Sequence, residues 1–323
     1  MNNSLVIPVY KSEQDIPSLL EALSGLNADL SADLEVIFVV DGSPDQSFQI
    51  LKDTLSTQPF QSQLILLNRN FGSFPAIRRG LEIATGSRLA VMAADLQEPI
   101  ELIHQFFTKL SSGEVDVVVG VRTGRKDSLL VKLTSSVFWS TFRKLVMPDM
   151  PKGGIDVFGC TSKFRDDLLC LGESNSSLVG QLLWLGGRRE EIPYKRRARQ
   201  QGASAWTYTR RFKYMLDSIL AFSDLPIFLL LWIGTCGILG SLGIGLVVLV
   251  AWTFGMITVP GYTPVMLLLA VVGSMLMFGQ GIIGSYVWRA NENSKARPLS
   301  IVQSRHEFSA SKDNQSSTTA ESD

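Results

Sequence analysis

Between Asp224 and Arg289 the chain has no aspartate, glutamate, lysine, arginine or histidine, and the interval is dominated by Leu, Ile, Val, Gly and Met. A water-soluble core has no need of so long an uncharged tract, whereas two membrane helices of about 20 residues each do. The reading is a membrane hairpin with spans at 227–254 and 265–288, separated by GMITVPGYTP, whose glycines and prolines break a helix. A pair of buried core helices is the alternative. The loop itself carries no charge, while Lys195, Arg196, Arg197, Arg199, Arg210, Arg211 and Lys213 precede the spans and Arg289, Lys295 and Arg297 follow them. Basic residues mark the cytoplasmic side, so both flanks are expected there and the loop outside.

Other absences narrow the class further. The 30 basic and 30 acidic residues cancel, which excludes the basic excess of a nucleic-acid binder. Only three cysteines occur, Cys160, Cys170 and Cys236, without metal-type spacing, and they suit a reducing compartment. The apolar run of SLVIPVY is too short for a signal peptide and has no basic leader, so the first 220 residues are expected to stay in the cytosol. From Ser304 the tail is polar and rich in Ser and Thr, and disorder is expected there.

What is present ahead of the uncharged tract is an alternation. Residues 4–9, 34–40, 63–67, 88–93 and 115–120 are short runs of Val, Ile and Leu that read as buried strands. Amphipathic stretches lie between them, as with Ile16, Leu19, Leu20 and Leu23 at helical spacing and the segment from Pro99 to Leu110. Such alternation builds a mostly parallel, Rossmann-like sheet flanked by helices. PVYKSE follows the first strand, DGSPD the second, NRNFG the third and DLQEP the fourth. Any one of these is an ordinary turn, but four at the C-terminal edge of an open sheet predict a ligand site. The third turn offers Arg69, Asn70 and Gly72 to it.

The run IPVY, VVDGSPD, LNRNFGSFPAIRRGLEIATG, MAADLQEP and VVVGVRTGR resembles family 2 glycosyltransferases of the GT-A fold, in particular the polyprenyl-phosphate glycosyltransferases that include dolichyl-phosphate mannose synthase and the bactoprenol glucosyltransferases. PKGGIDVFG, RQQGASAWT and GIIGSYVWRANENSKARPLSIVQ extend the likeness to about residue 303. The implied architecture is an α/β GT-A domain at 1–209, an interfacial helix at 210–223, the membrane pair within 224–290, and a cytosolic, partly disordered tail at 291–323. The implied activity is inverting transfer of one sugar from a nucleotide-sugar donor to a polyprenyl phosphate of undecaprenyl type. It would occur at the cytoplasmic face of the inner membrane and serve cell-envelope glycan or lipopolysaccharide modification. A homo-oligomer is compatible with it.

The resemblance also assigns residues. Pro8, Tyr10 and Asp41 would surround base and ribose, with Gly42 and Ser43 letting backbone approach. Ser12 stands where relatives often carry Glu, and Glu13 is the nearby substitute. Mg²⁺ or Mn²⁺ would stabilise the leaving diphosphate, held in relatives by three positions of DADLQ that correspond here to Ala93, Asp95 and Gln97. The first ligand is therefore missing, and Asp95 and Gln97 are the metal candidates. Asp156 would sit beside the acceptor, to orient it or relay a proton, with turn capping as the alternative. Arg199 and Ser204 would meet phosphate, as would Arg122 and Arg125, while Ala205 replaces a frequent Lys. Lys195 and Arg196 read as a solvated or membrane-facing cluster. RRFKYMLDSILAF reads as the interfacial helix, with LLVKLTSSVFWSTFRKLVM as a second candidate. A processive synthase would need more spans and a Gln-x-x-Arg-Trp motif. A non-catalytic scaffold with a degenerate metal site is the other alternative, and Ala93 is its support.

Overall fold

Short β-branched runs flanked by residues that cannot continue a strand give the centre of the molecule. The computed structural model describes residues 2–123, 143, 147–151, 154–173, 176–197, 219–220, 222–223, 225–254 and 262–311. Its strands are β1 (Asn3–Val9), β2 (Leu34–Val40), β3 (Gln61–Leu67), β4 (Arg88–Val91), β5 (Val117–Arg122), β6 (Ile155–Thr161), β7 (Arg189–Tyr194) and β8 (Val302–Phe308). They form one sheet in the order β7-β5-β6-β4-β1-β2-β3-β8. β1 pairs in parallel with β2 and β4, and β2 with β3, whereas β6 and β8 run antiparallel to their neighbours.

Alternation along each central strand divides the core in two. Leu5, Ile7 and Val9 of β1 and Val36, Phe38 and Val40 of β2 face one side. There they meet α1 (Ile16–Asp29), α2 (Ser47–Thr54) and α4 (Ile100–Ser111) through Leu19, Leu23, Leu51 and Phe106. Val6, Ile37 and Val39 face the other side. Their partners are α3 (Ser73–Ile83), α5 (Ser162–Cys170) and α6 (Leu178–Leu185), through Ala76, Leu81, Phe164, Leu168 and Leu182. Strands buried on both faces need such continuous apolar sequence.

Pro8 lies inside a central strand, which ordinarily costs a ladder bond. Met92 donates its backbone N–H to the Val6 carbonyl, and Asp41 donates to that of Val9. Even-numbered residues of β1 therefore face β4. The β1–β4 pairing ends at Val6 and Val91, so the N–H that Pro8 lacks would have pointed past the end of its neighbour.

At the edge of the sheet far from those turns, Glu35 is buried and accepts from Ser4 Oγ at 2.6 Å, Gln63 Nε2 at 2.7 Å, Thr85 Oγ1 at 2.9 Å and Thr85 N–H at 3.0 Å. Burial pushes its carboxyl up, but the bonds from Ser4, Thr85 and Gln63 outweigh burial and hold it below the ordinary glutamate value. A carboxylate with a depressed folded pKa adds stability above its unfolded value, and that stability is lost as pH falls through the folded one. Glu35→Ala should cost about 3 kcal/mol or more at pH 7, because four donors lose their acceptor. Unfolding of the detergent-solubilised chain should show wild type losing more stability between about pH 5 and pH 3 than Glu35→Gln does. Equal losses would remove Glu35 as the acid-sensitive tie.

Two expectations change. The tail is not disordered from Ser304: Val302–Phe308 is an edge strand paired with β3, and Arg305 donates to Gln63 Oε1 at 3.1 Å. Its alternation of half-buried and exposed residues is a strand pattern that composition averages away with the Ser-rich end. The sheet domain is therefore discontinuous, with its last strand drawn from beyond 300. Of the expected interfacial helix, only 219, 220, 222 and 223 are described, and there Ile219 and Phe222 pack on the second core cluster. Of the second candidate, only Arg143 and Met147 are described, with Met147 buried.

The uncharged tract forms α7 (Leu225–Thr253) and α8 (Tyr262–Ser294). The helices touch where Gly279 leaves room for the Leu230 side chain. Trp232 is 70% exposed, and Leu246, Val247, Met277 and Phe278 are likewise turned outward. By length and composition, Val271–Ser294 is the segment among the described residues that suffices to cross a membrane.

Candidate active site

In this topology one sheet edge collects the ends of β1 to β5 and β7 and the beginnings of the antiparallel β6 and β8. Tyr10, Asp41, Arg69, Asp95, Arg122, Asp156 and Tyr194 are all placed on it by backbone alone. Two neighbourhoods result.

Around β1, β2 and β3, polar side chains bind the turns to one another. Asp41 is buried and accepts from the N–H groups of Phe71 at 2.7 Å and Gly72 at 2.8 Å. Burial pushes its carboxyl up, while those two N–H groups and Arg69 pull it down. Gly42 has φ +54°, and a Cβ there would lie 2.3 Å from the Arg69 carbonyl carbon. The close approach that requires glycine is therefore to the neighbouring turn. Ser43 Oγ accepts from the Lys11 N–H at 2.7 Å and donates to Asp45 at 2.6 Å. Asp45 also accepts from Ser47 Oγ, and Glu13 accepts from the Gln46 N–H at 3.0 Å. Glu13 thus ties the first turn to the start of α2. Pro8 and Tyr10 are half-buried, Gly72 has φ +100°, and the exposed Arg69 lies 4.4 Å over the Phe71 ring. Asn70 is exposed beside it.

Around β4, β6 and β7 the carboxylates gather. Leu96 adopts φ +51°, a left-handed conformation that few non-glycine residues take. The reversal folds Gln97 back on Asp95, whose carboxylate accepts from Gln97 Nε2 at 2.7 Å. Ala93 is half-buried and Ala94 buried. Glu98, not singled out by the sequence reading, is 1% exposed, and its carboxylate meets Arg196 Nε at 3.3 Å. Burial first, then Asp95 and Asp156, push Glu98 up to about 7, against the pull of Arg196. Arg196, 27% exposed, is paired with buried Glu98 and is not the free solvated or membrane-facing residue expected; Lys195 is exposed. Asp156 is exposed and accepts from Tyr194 Oη at 2.8 Å. Burial, with Asp156 beside it, raises the Tyr194 phenol above its usual range, so the hydroxyl stays protonated and donates. Arg122, at the end of β5, is partly exposed; Arg125, Arg199 and Ser204 lie outside the described residues.

Asp95 and Gln97 present oxygen donors of the hard type that Mg²⁺ and Mn²⁺ take. Among the described residues no three His, Cys, Asp or Glu side chains converge as a complete metal cage. The arrangement fits a cation that brings its remaining oxygens with a phosphorylated ligand. Tyr194 escaped the sequence reading, and Arg196 was read only as part of a basic cluster, because β7 is a charged, proline-containing edge strand; the buried alternation of Ile192 and Tyr194 was the available signal.

A family model described as glycosyl transferase family 2 matches residues 4–171. The chain is 31% identical to an uncharacterized glycosyltransferase of Synechocystis over 93% of its own length and 94% of the relative's. It is 28% identical to a bactoprenol glucosyl transferase of Shigella phage SfX, over 94% of this chain and 100% of that one. Glucosyl-3-phosphoglycerate synthase from Mycobacterium tuberculosis, solved with Mn²⁺, uridine-diphosphate and phosphoglyceric acid, superposes with a TM-score of 0.48 and 14% identity over 68% of this chain and 76% of that one.

Proposed function

The chain belongs to glycosyl transferase family 2, and from that membership we propose that it transfers one sugar from a nucleotide-sugar donor to a polyprenyl phosphate at the cytoplasmic face of a membrane. The observation that carries the reading is the shared sheet edge, where the Asp95–Gln97 turn and Asp156 stand together while the chain leaves for, and returns from, two long apolar helices. The similarity to bactoprenol glucosyl transferases over nearly the whole chain supports the choice of acceptor.

The donor's nucleotide lies over the turns after β1, β2 and β3, with Tyr10 and Asn70 at the surface of that cradle. Asp95 and Gln97 would hold the divalent cation, which would supply Lewis-acid stabilisation to the departing diphosphate. An oxygen of the lipid phosphate attacks the anomeric carbon from the face opposite the leaving group. The new bond is carbon to lipid phosphate oxygen, the bond broken is carbon to donor phosphate oxygen, and the configuration inverts. A phosphomonoester has a second pKa near ~6, so the nucleophile arrives largely ionised. Asp156, fixed by the Tyr194 hydroxyl, then orients the acceptor or takes a residual proton. Arg122, Arg125, Arg199 and Ser204 are assigned to the phosphates.

Chain continuity supports the reading of 224–290 as a hairpin. Ile219 and Phe222 pack on the sheet domain before α7, and β8 pairs with β3 after α8. Both ends are held by one domain, so a crossing by Val271–Ser294 requires a return through α7. A scaffold that only binds lipid is the second reading, favoured by Ala93 in place of a carboxylate.

Membranes containing the protein, given radiolabelled nucleotide sugars and undecaprenyl phosphate, should yield a mild-acid-labile lipid monophosphate sugar of inverted configuration, with nucleoside diphosphate released. Nucleoside monophosphate as the leaving product would mean sugar-phosphate transfer and refute this mechanism. Inactivity with every donor would move the assignment to the scaffold.

A further inference from the structure

Two contacts join the end of β7 to the turn after β4, and a third joins it to the start of β6. Arg196 meets buried Glu98 at 3.3 Å, the Arg197 N–H donates to the Gln97 carbonyl at 2.9 Å, and Tyr194 donates to Asp156 at 2.8 Å. A fourth, Arg197 with Glu101 at 3.5 Å, lies in the open and contributes little. Burying the Glu98 carboxylate beside a partly exposed Arg196 is an expensive choice for stability alone. Glu98 is 1% exposed, its second carboxylate oxygen and Arg196 Nε have no hydrogen-bond partner among the described residues, so the two side chains meet as an ion pair, and Asp95 and Asp156 both oppose the charge of Glu98. An apolar or amide side chain of that size would ordinarily serve a fold as well or better.

The pair does one thing such a replacement would not. It pins the chain leaving β7 to the residue adjoining Gln97, on the same stretch that fixes Asp156 through Tyr194. We infer that Glu98 is a positioning residue for the transfer: through Arg196 it holds the Asp95–Gln97 turn and Asp156 in one frame, so that the cation side and the acceptor side of the site keep a set separation. This rests on the function proposed above. Glu98 is given no contact with substrate, and its effect passes through the geometry of Gln97 and Arg196.

The test compares wild type with Glu98→Gln, Glu98→Asp, Arg196→Lys and, as an outer control, Glu101→Gln, all as full chains. Three quantities are measured: kcat and KM for donor in membranes; depletion of free Mn²⁺, followed by its paramagnetic resonance, on titration with uridine or guanosine diphosphate; and the unfolding midpoint in detergent. Outer contacts that orient metal-binding side chains typically carry about 10- to 100-fold effects. Glu98→Gln should lower kcat by about tenfold with KM for donor little changed, weaken Mn²⁺–nucleotide binding several-fold, and leave the midpoint at or above that of wild type. Arg196→Lys should behave alike, Glu98→Asp should recover part of the loss, and Glu101→Gln should match wild type. Wild-type kcat and Mn²⁺ binding in Glu98→Gln would overturn the inference, as would losses that run parallel to a falling midpoint. The Mn²⁺ measurement needs no turnover, so it tests the clamp even where the transfer assay fails.

Discussion

Asp95→Asn should reduce sugar transfer by about 10²- to 10³-fold, the size of effect seen when one preorganised electrostatic contact to a developing charge is removed. The effect should be large here because Ala93 occupies the position where relatives are expected to carry another carboxylate. Asp95 and Gln97 remain, joined across the left-handed Leu96 at 2.7 Å. A cation bound through one carboxylate and one amide depends on water and on the donor's phosphates for its other oxygens, as Mg²⁺ commonly does. The ion should therefore bind weakly to the empty protein and arrive with the nucleotide. Asparagine keeps the shape of Asp95 and removes its charge, and the nearby carboxylate of Glu98 is already turned to Arg196. Ala93→Asp should act in the opposite sense. Position 93 is half-buried and can hold a hydrated carboxylate, so the variant should need less metal for half-maximal activity without being required for turnover. Metal titrations of wild type, Asp95→Asn and Ala93→Asp in the same membranes decide the matter. Undiminished transfer by Asp95→Asn would remove Asp95 from the cation.

Which parts of this arrangement could be read from sequence follows from where strands sit in the sheet. β1, β2, β3 and β4 are interior to the sheet and dominated by Val, Ile and Leu, so their turns could be aligned on one edge from sequence. β7 and β8 are edge strands with one polar side, REEIPY and VQSRHEF, and Pro193 suits β7 only because an edge strand can lack a donor. Those two strands were invisible, and with them went Tyr194, the pairing of Arg196 and the return of the chain to the sheet. Side-chain partners were the other blind point. Asp41 and Ser43 have the residue types of a nucleotide site, yet the structure engages both with neighbouring turns. No local pattern tells which backbone N–H will claim a carboxylate. Glu98 stood before Pro99 like an ordinary charge at a helix start, and only the fold brings Arg196, about a hundred residues later, against it.

A cysteine at Thr258 should react with an impermeant thiol reagent added to intact cells, while one at Ser309 should react only after the membrane is opened. Thr258 lies outside the described residues, in the short connection between α7 and α8. At 1.5 Å per residue, helices of 29 and 33 residues reach about 44 and 50 Å, beyond the roughly 30 Å of hydrocarbon in a bilayer. Their outward side chains are apolar, and the connection carries no charge to hold it on the cytoplasmic side. β8 makes the result binary. Because Val302–Phe308 is hydrogen-bonded to β3, Ser309 must share the compartment of the sheet, and an odd number of crossings would tear the last strand from its partner. The native cysteines extend the test: Cys160 is buried, Cys170 is exposed on the sheet domain, and Cys236 lies on α7. Cys170 should label only after permeabilisation. Cys236 should stay unlabelled from either side, since a thiol needs water to form the reactive thiolate. If α7 and α8 instead lay flat along the cytoplasmic surface, Thr258→Cys would label only after permeabilisation, together with Ser309→Cys. That pattern would leave the domain membrane-bound but exclude the hairpin.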